Sequence, residues 1–153
     1  MRLPSASPSA PPAPRAVVRR ATPGIPTPAA RNGDPFHILA VDDEPDYVDV
    51  LRGALAPDGA KVIDTSDGEE AVRQVADGRI GMVLLDAPMP EVDAFETCRR
   101  LRTLPNGRLL PIFVLTAEEQ ESLRRRALAS GANDCLHKIA ELPELLAKIR
   151  VYR

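Results

Sequence analysis

Four short apolar runs in the chain each stop abruptly at a polar side chain, and that feature narrows the fold more than any other. His37-Ile38-Leu39-Ala40-Val41 stops at Asp42-Asp43, and Met82-Val83-Leu84-Leu85 stops at Asp86. Ile112-Phe113-Val114-Leu115 stops at Thr116, and Asp134-Cys135-Leu136-His137 stops at Lys138. A short continuous apolar run reads as a strand buried on both faces, as in a parallel sheet covered by helices. The polar residue that closes it then stands at the carboxyl edge of the strand, where doubly wound sheets bind their ligands. Three carboxylates, a hydroxyl and an ammonium converging on one edge can hold a divalent cation and a phosphoryl group.

From residue 36 onward, strand-like and helix-like patterns alternate five times. The predicted strands cover 37–41, 60–64, 81–85, 111–115 and 133–137, and the predicted helices 46–56, 67–77, 93–103, 118–129 and 141–150. Helix one sets Tyr47, Val48, Val50, Leu51, Ala54 and Leu55 at helical spacing, and helix three does so with Ala94, Phe95, Cys98 and Leu101. Ser66-Asp67-Gly68-Glu69 has the serine-to-glutamate spacing of a capping box opening helix two, and Gly78 is its stop. Pro105-Asn106-Gly107 signals a turn, and helix four ends before Gly131. Such alternation with short connections predicts an α/β fold: a parallel (βα)5 sheet with helices on both faces.

Composition divides the chain near residue 34. Residues 1–33 hold eight prolines, five arginines and no acid, whereas residues 34–153 carry 15 basic against 22 acidic side chains, a net −7. A Pro/Ala/Arg-rich segment cannot bury enough apolar surface to offset its ordering entropy, so 1–34 is expected to be a disordered tail and 35–153 a folded domain. An interaction arm using Arg15, Arg19 and Arg20 is a second reading of the tail. No apolar run reaches signal-peptide or transmembrane length, which predicts a cytoplasmic protein without membrane contact. Cys98 and Cys135 form no CxxC pair and no His/Cys cluster, so both read as small buried hydrophobes.

These residues, in this order, resemble the receiver domains of two-component response regulators. Asp42-Asp43 stand in Val41-Asp42-Asp43-Glu44-Pro45, and Asp86 heads Asp86-Ala87-Pro88-Met89-Pro90, with methionine and proline three and four residues beyond it. Thr116-Ala117 closes the fourth strand and Lys138 the fifth, at the family spacings of 30 and 22 residues. The resemblance covers roughly residues 36–150. It implies a flavodoxin-like fold with strand order 2-1-3-4-5, and it implies Asp86 as phosphoacceptor. It further implies Mg2+ held by Asp43, Asp86 and the backbone carbonyl of Pro88, with Asp42 acting through water. Lys138 would pair with a phosphoryl oxygen while Thr116, beside Ala117, supplies a hydroxyl and moves inward. The implied partners are a sensor histidine kinase or phosphotransfer protein and a downstream protein effector. A dimer through the helix four, strand five and helix five face is also consistent with the resemblance. Nothing follows helix five, and the domain is acidic, so nucleic acid is not an expected partner.

Three positions depart from the family pattern. Ile139 stands where proline usually follows the lysine, so the Lys138–Ile139 bond is expected to be trans and the loop to take a different path. Cys135 occupies the switch position where an aromatic ring is common and cannot fill the space vacated by Thr116. Ala94 stands where a glycine is common, which predicts a reshaped turn. The departures at Cys135 and Ile139 favour, as the alternative, a phosphorylation-independent interaction module. A magnesium-dependent phosphohydrolase would need a second acid two residues after its nucleophile; Pro88 sits there, and the chain is not read as an enzyme.

Each residue also has a plainer reading. Asp42, Asp43 and Asp86 could be solvated turn or cap residues, and Lys138 a surface lysine. Thr116 with Glu119 has the spacing of a cap for helix four. Arg124-Arg125-Arg126 reads as a solvated face or as a docking patch for an acidic partner. His137 reads as structural rather than as a phosphodonor.

Overall fold

The structure, a computed structural model, describes residues 35–118 and 121–152. The tail expected over 1–34 lies outside the described residues. The elements run β1 (Phe36–Val41), α1 (Pro45–Leu55), β2 (Ala60–Thr65), α2 (Gly68–Ala76) and β3 (Met82–Asp86). They continue with α3 (Ala94–Thr103), β4 (Ile112–Thr116), α4 (Glu121–Ala129), β5 (Asp134–His137) and α5 (Leu142–Tyr152). Short 3-10 turns occupy Ala56–Asp58 and Pro105–Gly107. All five strands are parallel, in the order β2-β1-β3-β4-β5.

The continuous apolar runs serve two cores at once, because successive side chains of a strand point to opposite faces. Leu39, Val41, Val83, Leu85, Ile112 and Val114 pack with residues of α2 and α3 and with Ala127 of α4. Their neighbours Ile38, Ala40, Met82, Leu84, Phe113 and Leu115 pack with residues of α1 and α5. Every residue of β3 and β4 is buried. Polar side chains can therefore sit only at the ends of these strands.

Sheet register then brings the strand ends together. Val41 lies beside Leu85, Asp86 beside Leu115, and Thr116 beside His137. The ladder continues one residue past the strands: Ala87 N–H donates to Leu115 O and Lys138 N–H to Thr116 O, both at 2.8 Å. Asp42, Asp86, Thr116 and Lys138 thus share one edge.

Two local expectations are corrected. Asp67, not Ser66, caps α2, accepting from Glu69 N–H at 2.9 Å. Residue 118, the expected start of helix four, lies in a bend, and the described helix is Glu121–Ala129. The Thr116 hydroxyl accepts from Glu118 N–H (3.0 Å) and bonds its carbonyl (3.1 Å), holding a turn ahead of the helix, so Thr116 is not its cap. Glu119, the partner expected for such a cap, lies outside the described residues. Ala94 opens α3 without distortion: Asp93 caps the helix, and no described residue other than glycine has positive φ. Gly131, at φ +103, ends the α4 turn in the left-handed region, where a side chain would be strained. Among the described residues, no helix is long and apolar enough to cross a membrane.

Candidate functional site

Lys138 lies at the centre of the carboxyl edge and is 2 % exposed. Its Nζ stands 2.7 Å from Asp42 Oδ2, 3.2 Å from Asp86 Oδ1 and 3.6 Å from Glu44 Oε1. The expectation that Lys138–Ile139 is trans holds, since Ala87–Pro88 is the one cis bond among the described residues. The lysine reaches the acids all the same.

Nζ is buried, and the buried Asp42 and Asp86 carboxylates are its nearest charge partners. An ammonium has three donors. Burying them unsatisfied is costly unless an anion accepts from them.

The acids differ in setting. Asp42 and Asp86 are buried, whereas Asp43 and Glu44 are exposed. The Glu44 N–H donates to Asp42 Oδ1 at 2.8 Å, which fixes the turn into α1. Burial pushes the Asp86 carboxyl up to about 6, with the Asp42 charge adding to the rise and Lys138 opposing it. Burial alone would lower the Lys138 pKa, but its pairing with Asp42 and Asp86 outweighs that and raises it.

Oxygen atoms of Asp42, Asp43, Glu44 and Asp86 all lie within 4.8 Å of one another. A set of hard carboxylate oxygens beside a buried ammonium fits a divalent cation together with an anion. Pro88 is exposed in the loop two residues past Asp86, and Ala87 is buried beneath it. Thr116 is buried and engaged with its own turn, and Ala117 is exposed beside it.

Cys135 is a buried free thiol whose pKa burial pushes up, as is Cys98, in keeping with the small-hydrophobe reading. Beside Cys135 a cleft of about 250 Å³ opens between α4 and β5, lined also by Thr116, Glu121, Arg124, His137 and Glu141. His137 is structural: its Nδ1 accepts from Ile139 and Ala140 N–H, and its own N–H donates to Glu141.

The three arginines of α4 have partners within the chain. Arg124 pairs with Asp134, Arg125 with Glu121, and Arg126 lies 4.2 Å over the Phe95 ring. Two residues at the site went unread in the sequence: Glu44, the third acid of its run, and Tyr47, whose ring lies 4.4 Å from Lys138 Nζ. Helical spacing alone marked Tyr47 as core, and nothing local distinguished it.

The acids, the threonine and the lysine thus stand together on the carboxyl edge, where doubly wound sheets bind their ligands. Residues 38–150 match the response regulator receiver domain family, and the chain belongs to it. Response regulator MprA of Mycobacterium leprae is 45% identical over 115 residues, 75% of this chain and 50% of that protein. The chain thus spans about half the length of that relative. An uncharacterised 14.6 kDa protein of Leptolyngbya boryana is 40% identical over 115 residues, 75% of this chain and 88% of that one. Among solved structures, chemotaxis protein CheY4 of Vibrio cholerae superposes with TM-score 0.70 at 26% identity, covering 78% of this chain and 100% of that one. The receiver domain of sensor histidine kinase PA1611 from Pseudomonas aeruginosa PAO1, with a magnesium ion coordinated in its active site cleft, gives 0.65 at 34% identity, covering 75% and 97%.

Proposed function

We propose that this receiver takes a phosphoryl group onto Asp86 from a histidine kinase or phosphotransfer protein, and that the phosphorylated form is read by a protein effector. The observation that carries this reading is the convergence at the sheet edge of the buried Asp86 and the buried Lys138 ammonium, 3.2 Å apart, with Asp42 beside both. A phosphoryl group on Asp86 would lie within reach of that ammonium.

In the transfer, Asp86 Oδ forms a bond to phosphorus as the P–N bond to the donor imidazole breaks, leaving the electron pair on that nitrogen. Asp43, Asp86 and the Pro88 carbonyl would hold Mg2+, with Asp42 acting through water. The ion supplies neutralisation of the phosphoryl charge when bound. Lys138 holds one phosphoryl oxygen as a point charge. Thr116 gives up its bond to the Glu118 carbonyl to donate to another, beside Ala117. That displacement biases the α4–β5–α5 face, which is where an effector or a second copy would bind. The free, buried thiols of Cys98 and Cys135 suit a reducing cytoplasm.

A second reading, an interaction module that works without phosphate, draws on Cys135, which lines the cleft beside Thr116 where the family often has an aromatic ring, and on Ile139 in place of the usual proline. Intact mass after incubation with acetyl phosphate and Mg2+ separates the two. The receiver reading expects one added phosphoryl on the natural chain and none on Asp86→Asn. An unchanged natural chain would support the module.

A further inference from the structure

Lys138 must be held at the site by something other than its own chain. Its side chain is a flexible four-carbon stem, and Ile139 after it is 70% exposed in a turn. On its amino side the lysine is tied to the sheet through its N–H on Thr116 O. On its carbonyl side the tie comes from α1, 91 residues away in sequence: Tyr47 Oη donates to Lys138 O at 3.1 Å in a buried bond. The ring of the same tyrosine lies 4.4 Å from Lys138 Nζ. One side chain thus contacts both ends of the lysine.

We infer that Tyr47 is a positioning residue for phosphoryl transfer, which seats Lys138 by bonding its carbonyl and packing its ring against the ammonium. The inference rests on the receiver reading. A ring face attracts an ammonium without neutralising it and offers it no acceptor for a strong hydrogen bond. The ring therefore confines the stem without competing with the carboxylate or phosphoryl oxygens for the donors of Nζ. Tyr47 is 5% exposed, and burial with the charges of Asp42 and Asp86 raises its pKa, so its hydroxyl keeps the proton it donates. Asp42, Asp86 and Glu44 also lie 2.7 Å, 3.2 Å and 3.6 Å from the ammonium, so ring and acids together confine Nζ.

The test uses the full chain, Tyr47→Leu and Tyr47→Phe. Positional errors of about an ångström at a reacting group slow transfer strongly, so Tyr47→Leu should take phosphoryl from acetyl phosphate about tenfold more slowly at saturating Mg2+. Tyr47→Phe keeps the ring and loses one hydrogen bond, which predicts a slowing of about threefold. The Mg2+ half-saturation, set by other residues, should stay within about twofold in both. Proton NMR without metal or phosphate gives the independent readout, helped by there being only three lysines, Lys61, Lys138 and Lys148. The Lys138 ε-methylene should lie upfield from the ring current in the natural chain and in Tyr47→Phe, and lose that shift in Tyr47→Leu. A natural-like rate in Tyr47→Leu, or a Lys138 resonance indifferent to the ring, would overturn the inference. So would a rate and a Mg2+ affinity that fall together, the mark of a merely structural role. If Tyr47→Leu fails to fold, Tyr47→Phe decides by its rate alone. A natural chain that takes no phosphoryl would sink the receiver reading instead, while the ring-current shift would still report whether Tyr47 seats the lysine.

Discussion

A carboxylate that attacks phosphorus must be ionised, yet burial and the neighbouring Asp42 charge hold the Asp86 carboxyl up to about 6. In an unfolded chain an aspartate ionises near pH 4, roughly two units lower. Between about pH 4 and 6 the folded form therefore binds more protons than the unfolded one, and this group's contribution to stability falls as pH rises through that window. Above it the destabilisation is complete. Asp86→Asn removes the charge, so without metal it should be the more stable protein at pH 8, by about 1–2 kcal/mol. Thermal melts at pH 8 and pH 5 check this: the advantage should shrink at the lower pH. An advantage independent of pH, or a loss of stability at pH 8, would contradict it. Bound cation would relieve the same strain, which couples metal loading to stability at this one residue.

At the scale of elements, Arg102 of α3 fastens two loops that lead into strands. Its guanidinium donates to Gly131 O (2.8 Å), Gly107 O (2.7 Å), Leu110 O (2.6 Å) and Asn133 Oδ1 (2.9 Å). Asn133 Oδ1 also accepts from Ile112 N–H, so the segments before β4 and β5 share the anchor. Burial lowers the Arg102 pKa, but a guanidinium remains charged. Arg102→Ala would leave several partly buried carbonyls unpaired and should cost about 2–3 kcal/mol in urea unfolding, and Arg102→Lys should recover little, because an ammonium lacks the fork. A change under 0.5 kcal/mol, the usual range of about ±0.5 kcal/mol for surface residues, would show the anchor to be incidental. By contrast α4 buries only Ala127 fully, with Leu123 packed partly buried against the core, the Arg124–Asp134 pair and Arg126 over Phe95 adding to its hold. An element so lightly held, next to Thr116, is a suitable one to move.

For the molecule as a whole, the sequence displayed the sheet edge because a strand buried on both faces leaves no polar residue until it ends. Asp42, Asp86, Thr116 and Lys138 were legible for that reason, as was the two-faced covering of the sheet. What stayed hidden depends on contacts between distant segments or on local competition. Tyr47 has the spacing of an ordinary core residue, and its bond to Lys138 spans 91 positions. Arg124 and Arg126 find Asp134 and Phe95 only once α4 is in place. The start of α2 depended on whether Ser66 or Asp67 adopted the extended backbone of a cap, and the start of α4 on a turn made by the Thr116 hydroxyl. The departures at Ile139 and Ala94 left the site standing: Lys138 still reaches Asp86, and Ala94 opens a regular helix. The central claim is that all of this serves one acceptor. Borohydride reduction of the chain after treatment with acetyl phosphate and Mg2+, followed by peptide mass spectrometry, tests it most directly. An aspartyl phosphate is reduced to homoserine, and the account predicts homoserine at position 86 alone. Homoserine at position 42 or 43, or none anywhere, would contradict it.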